Sequence, residues 1–489
     1  MNAYLIGILA YSFLLMMIGV YMGRRVRSAS DFLVAGRSLS AGLIFTTFLA
    51  ANLGAGSTVG ATGLGFRFGL SAWWWVGSAS IGTLVLGTLL GPKLWEIARA
   101  HSLNTMGDFL EWRYGRAVKA VIACLLWLGT LAILAGQLIA ISWILNVVLG
   151  LPKWAGCAVG GFVAIVYYSA GGLLASAFVN AVELAVTMSG LLLAVPFALH
   201  AVGGWTHLVD QVSAQHASVG SMQSAQLFSI TGVGIRQILA YLAILAPSFM
   251  VSPGLVQKLY GARTRESVRL GVGLNSLAQA GFAIVPAILG LCALAAYPHL
   301  SNPELALPTV MMKLLPKWMG IWALASIFSA ELSATDAILF MLSTSLAVDL
   351  YKTFLNPQVS DKKLLLVSRV TAVVAGATGI VIAELLSSII AAVSIFYGLL
   401  AVSLFVPVIA GLYWKRVHSK AVLAGIFCSL AATLLVSRYT QGQELWVLSP
   451  QAIGIMTACV VVGVITVWGI WKSRRGVIEK SGDRVKESS

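Results

Sequence analysis

Charge is what this chain has least of: Asp, Glu, Lys and Arg make up 10% of its 489 residues, against roughly a quarter in an ordinary soluble domain. A water-facing surface cannot be built from so few ionised groups. With 59% of the residues hydrophobic, lipid must be the solvent for most of the protein. No long polar region interrupts the stretch from Tyr4 to Trp471, which leaves no room for a large soluble domain. There is no CxxC pair. The cysteines (Cys124, Cys157, Cys292, Cys428, Cys459) all lie inside apolar stretches without neighbouring histidines, and read as small buried hydrophobes. HExxH and GxxxxGK[ST] are both missing, and no Ser/His/Asp set shares a pocket by sequence. Primary pumping and membrane-bound catalysis therefore lack support, and the chain does not read as an enzyme.

What is present is a recurrent apolar run. A bilayer core about 30 Å thick takes about 20 mainly apolar residues per helix, and by that length the sequence holds about 13 spans. The fold class is an all-α membrane protein. The formal net charge is +15, but the basic residues fall in short clusters between spans rather than on one face, so topology explains them better than nucleic acid does. Tyr4 to Met22 has no basic residue before it and no small-residue cleavage site after it, and Arg24, Arg25 and Arg27 follow at once. It is expected to remain as a helix with its N-terminus outside. Alternating spans then put clusters such as Lys93/Arg99, Lys258/Arg263 and Lys415/Arg416 inside, together with the basic tail. Only Arg67, Lys153, Lys313, Lys317 and Arg438 are left to the outer loops. One displaced span would scramble this bias, which points to the cell (inner) membrane with a cytoplasmic C-terminus.

The second span reads Phe48-Leu-Ala-Ala-Asn-Leu-Gly-Ala-Gly-Ser-Thr-Val-Gly60, with Asn52, Gly54, Gly56, Ser57 and Thr58 near mid-bilayer. Glycines and short hydroxyls favour an unwound turn, and unwinding is tolerated in hydrocarbon only where the backbone lines a protein-enclosed cavity. Five spans later come Gly232, Gly234, Pro247, Ser248, Ser252, Pro253 and Gly254. Membrane helices hold more Gly and Pro than soluble ones, which explains either span alone. Matching breaks in two groups of five helices point instead to an inverted-repeat transporter with its site at the breaks. The chain accordingly divides into a first helix and inner loop (1–40), a first five-helix repeat (41–205), an outer loop (206–226), a second repeat (227–414), two peripheral helices (415–471) and a basic tail (472–489).

On these residues the sequence resembles the sodium:solute symporter family, whose core is the inverted five-plus-five helix fold first seen in the leucine transporter. The segments that carry the resemblance run almost end to end. They are Ser28-Ala-Ser-Asp-Phe-Leu-Val-Ala-Gly-Arg37-Ser-Leu, Ala50-Ala-Asn-Leu-Gly-Ala-Gly-Ser57, Gly171-Gly-Leu-Leu-Ala175, Ser333-Ala-Thr-Asp336-Ala and Val348-Asp-Leu-Tyr-Lys352. The resemblance implies Na⁺ as the co-transported ion, held by the backbone carbonyls of Ala50, Leu53 and Ala330 and the hydroxyl of Ser333. Such a set suits a hard cation, which wants several oxygens without a permanent buried anion. A hydroxyl bonded one turn back is the alternative for Ser333. The chain departs from the family pattern at Ala334, where a second Ser or Thr is usual, and at Asn180 and Glu183, where Asp and Gln are common. These departures count against a second Na⁺ and keep the proton open as the coupling ion.

Glu183, Arg236, Glu331, Asp336 and Glu384 fall within spans, where they are expected to point inward, pair or be neutral. Glu183 and Glu331 are the candidates for carrying a proton, because a desolvated carboxylate titrates nearer neutral pH. Asp336 shares a helix face with Ser333 and either tunes the cation site or pairs with a basic residue of an inner loop. The solute is expected beside Gly56, Ser57 and Thr58, with walls from the Trp73-Trp74-Trp75 run, Gln137, Tyr241, Ser248 and Tyr397. Trp74 and its neighbours also suit the membrane interface, and Gln137 also suits a helix-to-helix bond. With no cluster of basic residues there, a zwitterion, monocarboxylate, sugar or vitamin fits better than a di- or tricarboxylate. The sequence thus reads as a cation-coupled symporter of a small polar organic solute, working in a lipid bilayer with no obligate protein partner evident. A proton-coupled symporter of the same fold and a solute-sensing receptor without transport are the alternatives. The 18 residues after Trp471 are too few for an output domain, and a channel would want a charged ring or carbonyl filter.

Overall fold

The computed structural model describes residues 3–23, 34–168, 172–217, 224–443 and 445–486. Arg24, Arg25, Arg27, the stretch from Ser28 to Leu33 and Gly171 lie outside them. Among the described residues the regular elements are helical, with only isolated bridges between extended residues.

A leading helix, α1 (Ala3–Gly23), precedes two successive groups of helices. The first group opens on a broken rod, α2 (Ala41–Asn52) and α3 (Val59–Phe68). It continues through α4 (Trp73–Val85), a short helix α5 (Met106–Tyr114), α6 (Arg116–Leu149), α7 (Lys153–Tyr168) and α8 (Gly172–Ala201). The second also opens on a broken rod, α9 (Ile235–Val251) and α10 (Pro253–Tyr260), followed by α11 (Arg265–Phe282), α12 (Lys317–Thr344), α13 (Asp361–Leu385) and α14 (Ile389–Ser403). The peripheral α15 (Ser419–Tyr439) and α16 (Pro450–Lys486) pack mainly on each other. Ten helical segments of the described residues are long and apolar enough to cross a bilayer, and Ala3–Leu15 and Ala41–Asn52 are shorter apolar helices.

Both breaks have local causes. Ser252 leaves helical geometry (φ −54°, ψ 119°) immediately before Pro253, because a proline ring disfavours the helical conformation of its predecessor and removes an N–H. In the first rod, α2 ends at Asn52 and helical geometry resumes only at Val59. Gly65 and Gly290 allow two backbones to touch: a Cβ on Gly290 would lie 2.5 Å from the carbonyl carbon of Gly65.

The outer face is apolar where lipid is expected, with Phe162 and Leu385 69% and 80% exposed. Of the cysteines, all free, only Cys157 and Cys292 are buried. Cys124, Cys428 and Cys459 are exposed on helix faces instead, since helical phase decides which residues of an apolar run face inward. Arg236 and Glu384 are likewise exposed near helix ends rather than directed into the bundle, where they need no buried partner.

Lys119 at the start of α6 is buried with its ammonium 2.9 Å from both Asp108 Oδ1 and Glu111 Oε2 of α5 and 3.7 Å from Asp349 Oδ1. Asp108 also caps α5 reciprocally with Thr105, whose hydroxyl donates to Asp349 at 2.6 Å. These bonds fasten α5 to the end of the ninth span.

Candidate functional site

The broken α2–α3 rod is held open by side chains from three other helices. Past Asn52 the chain takes a tight turn in which the amides of Ser57 and Thr58 both donate to Gly54 O, at 2.9 and 3.0 Å. The amide of Ala55 donates to Gln137 Oε1 of α6 at 2.9 Å, and the Ser57 hydroxyl donates to Asn52 O at 2.7 Å. The carbonyls of Ala50 and Leu53 accept no backbone N–H among the described residues. A helix that stops at mid-depth leaves its last carbonyls available in this way.

Gly54 is required by a close approach. A Cβ there would sit 2.5 Å from Ala334 Cβ and 2.9 Å from the Gln137 amide. Ala334, where the family pattern has a hydroxyl, therefore packs on the turn. On α12 the residues Ala330 and Ser333 are buried, and the Ser333 hydroxyl donates to Asn180 Oδ1 at 3.3 Å. Asn180 in turn donates to the Thr47 hydroxyl of α2 at 3.1 Å, so its amide bridges α2 and α12.

Beside the turn lies a cavity. Its polar lining includes Asn52, Ser57, Gln137, Ser252, Lys258, Gln279 and Tyr397, with Gly56 at its wall and Trp75, Phe249 and Phe396 as aromatic faces. Asn52 donates to Asn275 and Gln279, each at 3.4 Å, and Thr83 donates to Gln279 at 3.2 Å. These bonds tie α2 to α11 and α4.

Five expected solute contacts, Gly56, Ser57, Trp75, Gln137 and Tyr397, line this cavity. The others fall elsewhere. The Trp74 indole donates to Ile230 O at 3.0 Å on the exterior, and its neighbour Trp75 is the one that faces inward. Tyr241 packs edge-on against Trp75, with ring centres 5.4 Å apart. Ser248 contacts the carbonyls of Ile244 and Tyr397 at 2.5 and 2.6 Å, joining α9 to α14. Thr58 turns to Gly54 O at 3.0 Å and Glu331 Oε1 at 2.7 Å. Glu183, Glu331 and Asp336 are buried.

Lys258 was the residue most poorly read from sequence. Counted among inner-loop cations, it is buried in α10, lines the cavity, and donates to Thr47 O at 2.8 Å. Asp336 and Glu183 act on it electrostatically. Gln279 was missed as well, although the polar pair Asn275 and Gln279, one helical turn apart in an apolar span, was a visible signal.

A membrane rod unwound at mid-helix, its carbonyls freed next to a polar cavity and a second broken rod opposite, defines an ion-coupled secondary transporter built on helix repeats. The model of the sodium:solute symporter family matches residues 32–428, and the chain belongs to that family. It is 26% identical over 462 residues to the sodium/pantothenate symporter of Escherichia coli (strain K12), covering 87% of this chain and 90% of that protein. With the sodium/glucose cotransporter of Vibrio parahaemolyticus it shares 23% identity over 441 residues, 84% and 80% of the two chains. A Na⁺-coupled sialic acid symporter in a substrate-bound outward-open state superposes with a TM-score of 0.79 at 16% identity, over 95% of this chain and 98% of that one. A transporter of the nucleobase-cation-symport-1 family gives 0.59 at 13% identity over 92% and 96%. At these identities the superpositions establish the fold, an inverted five-plus-five helix core. The protein is a multi-pass membrane symporter that moves a solute with Na⁺.

Proposed function

We propose that one Na⁺ binds where the α2–α3 turn meets α12, on the carbonyls of Ala50, Leu53 and Ala330 and the hydroxyl of Ser333. A small polar organic solute occupies the adjoining cavity. The observation that carries this reading is the pair of open carbonyls at Ala50 and Leu53 on a helix packed against α12. Ser333 donates its hydroxyl hydrogen to Asn180, and a hydroxyl oxygen can coordinate a cation while donating. A single ion is favoured because Ala334 brings no oxygen and is pressed against Gly54, while Asn180 replaces a carboxylate by a neutral amide.

In the cavity, Gln137, Gln279 and Asn52 offer both donors and acceptors, and Trp75, Phe249 and Phe396 offer apolar faces. That mixture suits a compact solute with a polar head and an apolar body. Alternating access follows when the two helix groups rock about this point. The cluster of basic residues between spans supports an N-terminus outside and a cytoplasmic tail in the cell membrane. Purified protein reconstituted into vesicles tests the reading: an inward Na⁺ gradient is expected to drive uptake of one of a panel of labelled monocarboxylates, zwitterions, sugars and vitamins. Uptake indifferent to replacement of Na⁺ by K⁺ at every pH would refute it.

A further inference from the structure

Among the described residues the cavity wall carries one charged side chain, Lys258, and no Asp or Glu, and the Na⁺ site makes no use of that lysine. The residue is 2% exposed, so bulk water does not solvate its ammonium. An ammonium has three hydrogens to donate and accepts none. One goes to Thr47 O at 2.8 Å, its single hydrogen-bond partner among the described residues. The ion pairs found there belong to Lys119, Arg116 and Arg265. Asp336 and Glu183 act on Lys258 electrostatically without lining the cavity. A buried cation with donors left over, on the wall of a cavity, calls for an acceptor inside it.

The helix that carries Lys258 adds to the same charge. α10 starts at Pro253, in the break of the second rod, and the first amides of a helix have no partner inside it. Gly254 and Leu255 also line the cavity, and neither of their amides donates to a backbone carbonyl among the described residues. Lys258 follows Gly254 by four positions, one turn further along the same face. The positive end of the helix and the ammonium therefore meet the cavity together. Access to the backbone is open there, since a Cβ on Gly254 would touch Met341 Sδ alone, at 3.4 Å.

The rest of the wall selects the kind of anion. One lysine balances one negative charge, so a di- or tricarboxylate would bury charge without an answer. With no Asp or Glu on the wall, the ammonium of a zwitterion or an amine meets no anionic partner. The amide oxygens are already engaged: Gln137 Oε1 accepts from the Ala55 N–H, and Gln279 Oε1 accepts from Asn52 and Thr83. Trp75, Phe249 and Phe396 offer apolar surface to whatever is attached to the charged head.

We propose that Lys258 and the first amides of α10 form the seat of a carboxylate, and that the solute moved with Na⁺ is a monocarboxylate with an apolar body. Its two oxygens take the remaining ammonium hydrogens and the amides of Gly254 and Leu255, a charge-assisted set. Na⁺ in the adjoining turn brings one positive charge as the solute brings one negative charge. The pair loads with the buried charge unchanged, whereas either partner alone adds a lone ion at mid-membrane.

The proposal rests on the Na⁺ reading, and the test separates the two. Purified full-length protein in NaCl is titrated with propionate, pyruvate, lactate and benzoate, each beside its neutral amide, with thermal stabilisation as the readout. At least one acid is expected to stabilise the wild type, and its amide about tenfold more weakly or not at all, the margin of a charged over a neutral hydrogen bond. In Lys258→Gln, which keeps a donor for Thr47 O, the acid is expected to bind no better than its amide. The wild-type comparison of acid with amide holds even where that variant fails to fold. An amide as effective as its acid, no stabilisation by any acid of the set, or a Lys258→Gln protein that prefers the acid by the wild-type margin overturns the proposal. A sugar or zwitterion taken up on a Na⁺ gradient while no acid binds overturns it and leaves the Na⁺ reading standing. Uptake of every solute indifferent to Na⁺ overturns the Na⁺ reading and this one with it.

Discussion

The side-chain oxygen of Gln137 accepts the backbone N–H of Ala55 at 2.9 Å, so one buried amide on α6 fixes the shape of the turn that interrupts the first rod. Without an acceptor, that N–H stays buried and unpaired.

Gln137→Ala is therefore expected to destabilise the protein by about 1 to 3 kcal/mol, the cost of an orphaned buried donor, and to impair Na⁺-driven uptake. Gln137→Glu keeps an oxygen in place and should retain more stability. Thermal unfolding of the two variants in the same detergent checks the order; equal losses would mean that the bond to Ala55 is incidental.

Lys258 donates to Thr47 O at 2.8 Å, and the buried Asp336 and Glu183 act on it electrostatically. Lys258→Met removes the donor from the buried Thr47 carbonyl and is expected to cost about 1 to 3 kcal/mol, the cost of an orphaned buried acceptor. Adding Asp336→Asn should restore part of the loss. A double variant no more stable than Lys258→Met would show that the two side chains are uncoupled.

The break in the first rod was legible because its cause is local: Gly54, Gly56, Ser57 and Thr58 are adjacent in sequence. The positions of Lys258 and Gln279 were not, because what they bond is distant. Thr47 lies 211 positions from Lys258 and Asn52 lies 227 from Gln279. The choice between Trp74 and Trp75 turned on helical phase, since neighbours on a helix point about 100° apart and sequence alone does not set the rotation. Thr58 was correctly placed in the unwound turn, but only tertiary packing shows its hydroxyl meeting Glu331.

Glu304, outside the spanning helices, receives the N–H of Ile389 at the start of α14 at 2.7 Å and the Trp143 indole N–H at 3.1 Å. Burial nonetheless pushes its carboxyl above the usual range, with those donors opposing the shift. The folded form then binds its proton more tightly than the unfolded chain does. Its contribution to stability is present below the unfolded value, about 4.3, and declines as pH rises through the folded one. Melting curves over that interval should show a smaller fall with pH for Glu304→Gln than for the wild type. Parallel curves would contradict this.

The most direct measurement is equilibrium binding of radioactive sodium to purified wild-type and Ser333→Ala protein without any solute present. Saturable binding of one ion per chain by the wild type, strongly weakened in a Ser333→Ala protein of unchanged melting temperature, is the predicted result. Undiminished binding by Ser333→Ala would contradict a cation held between the unwound turn and α12.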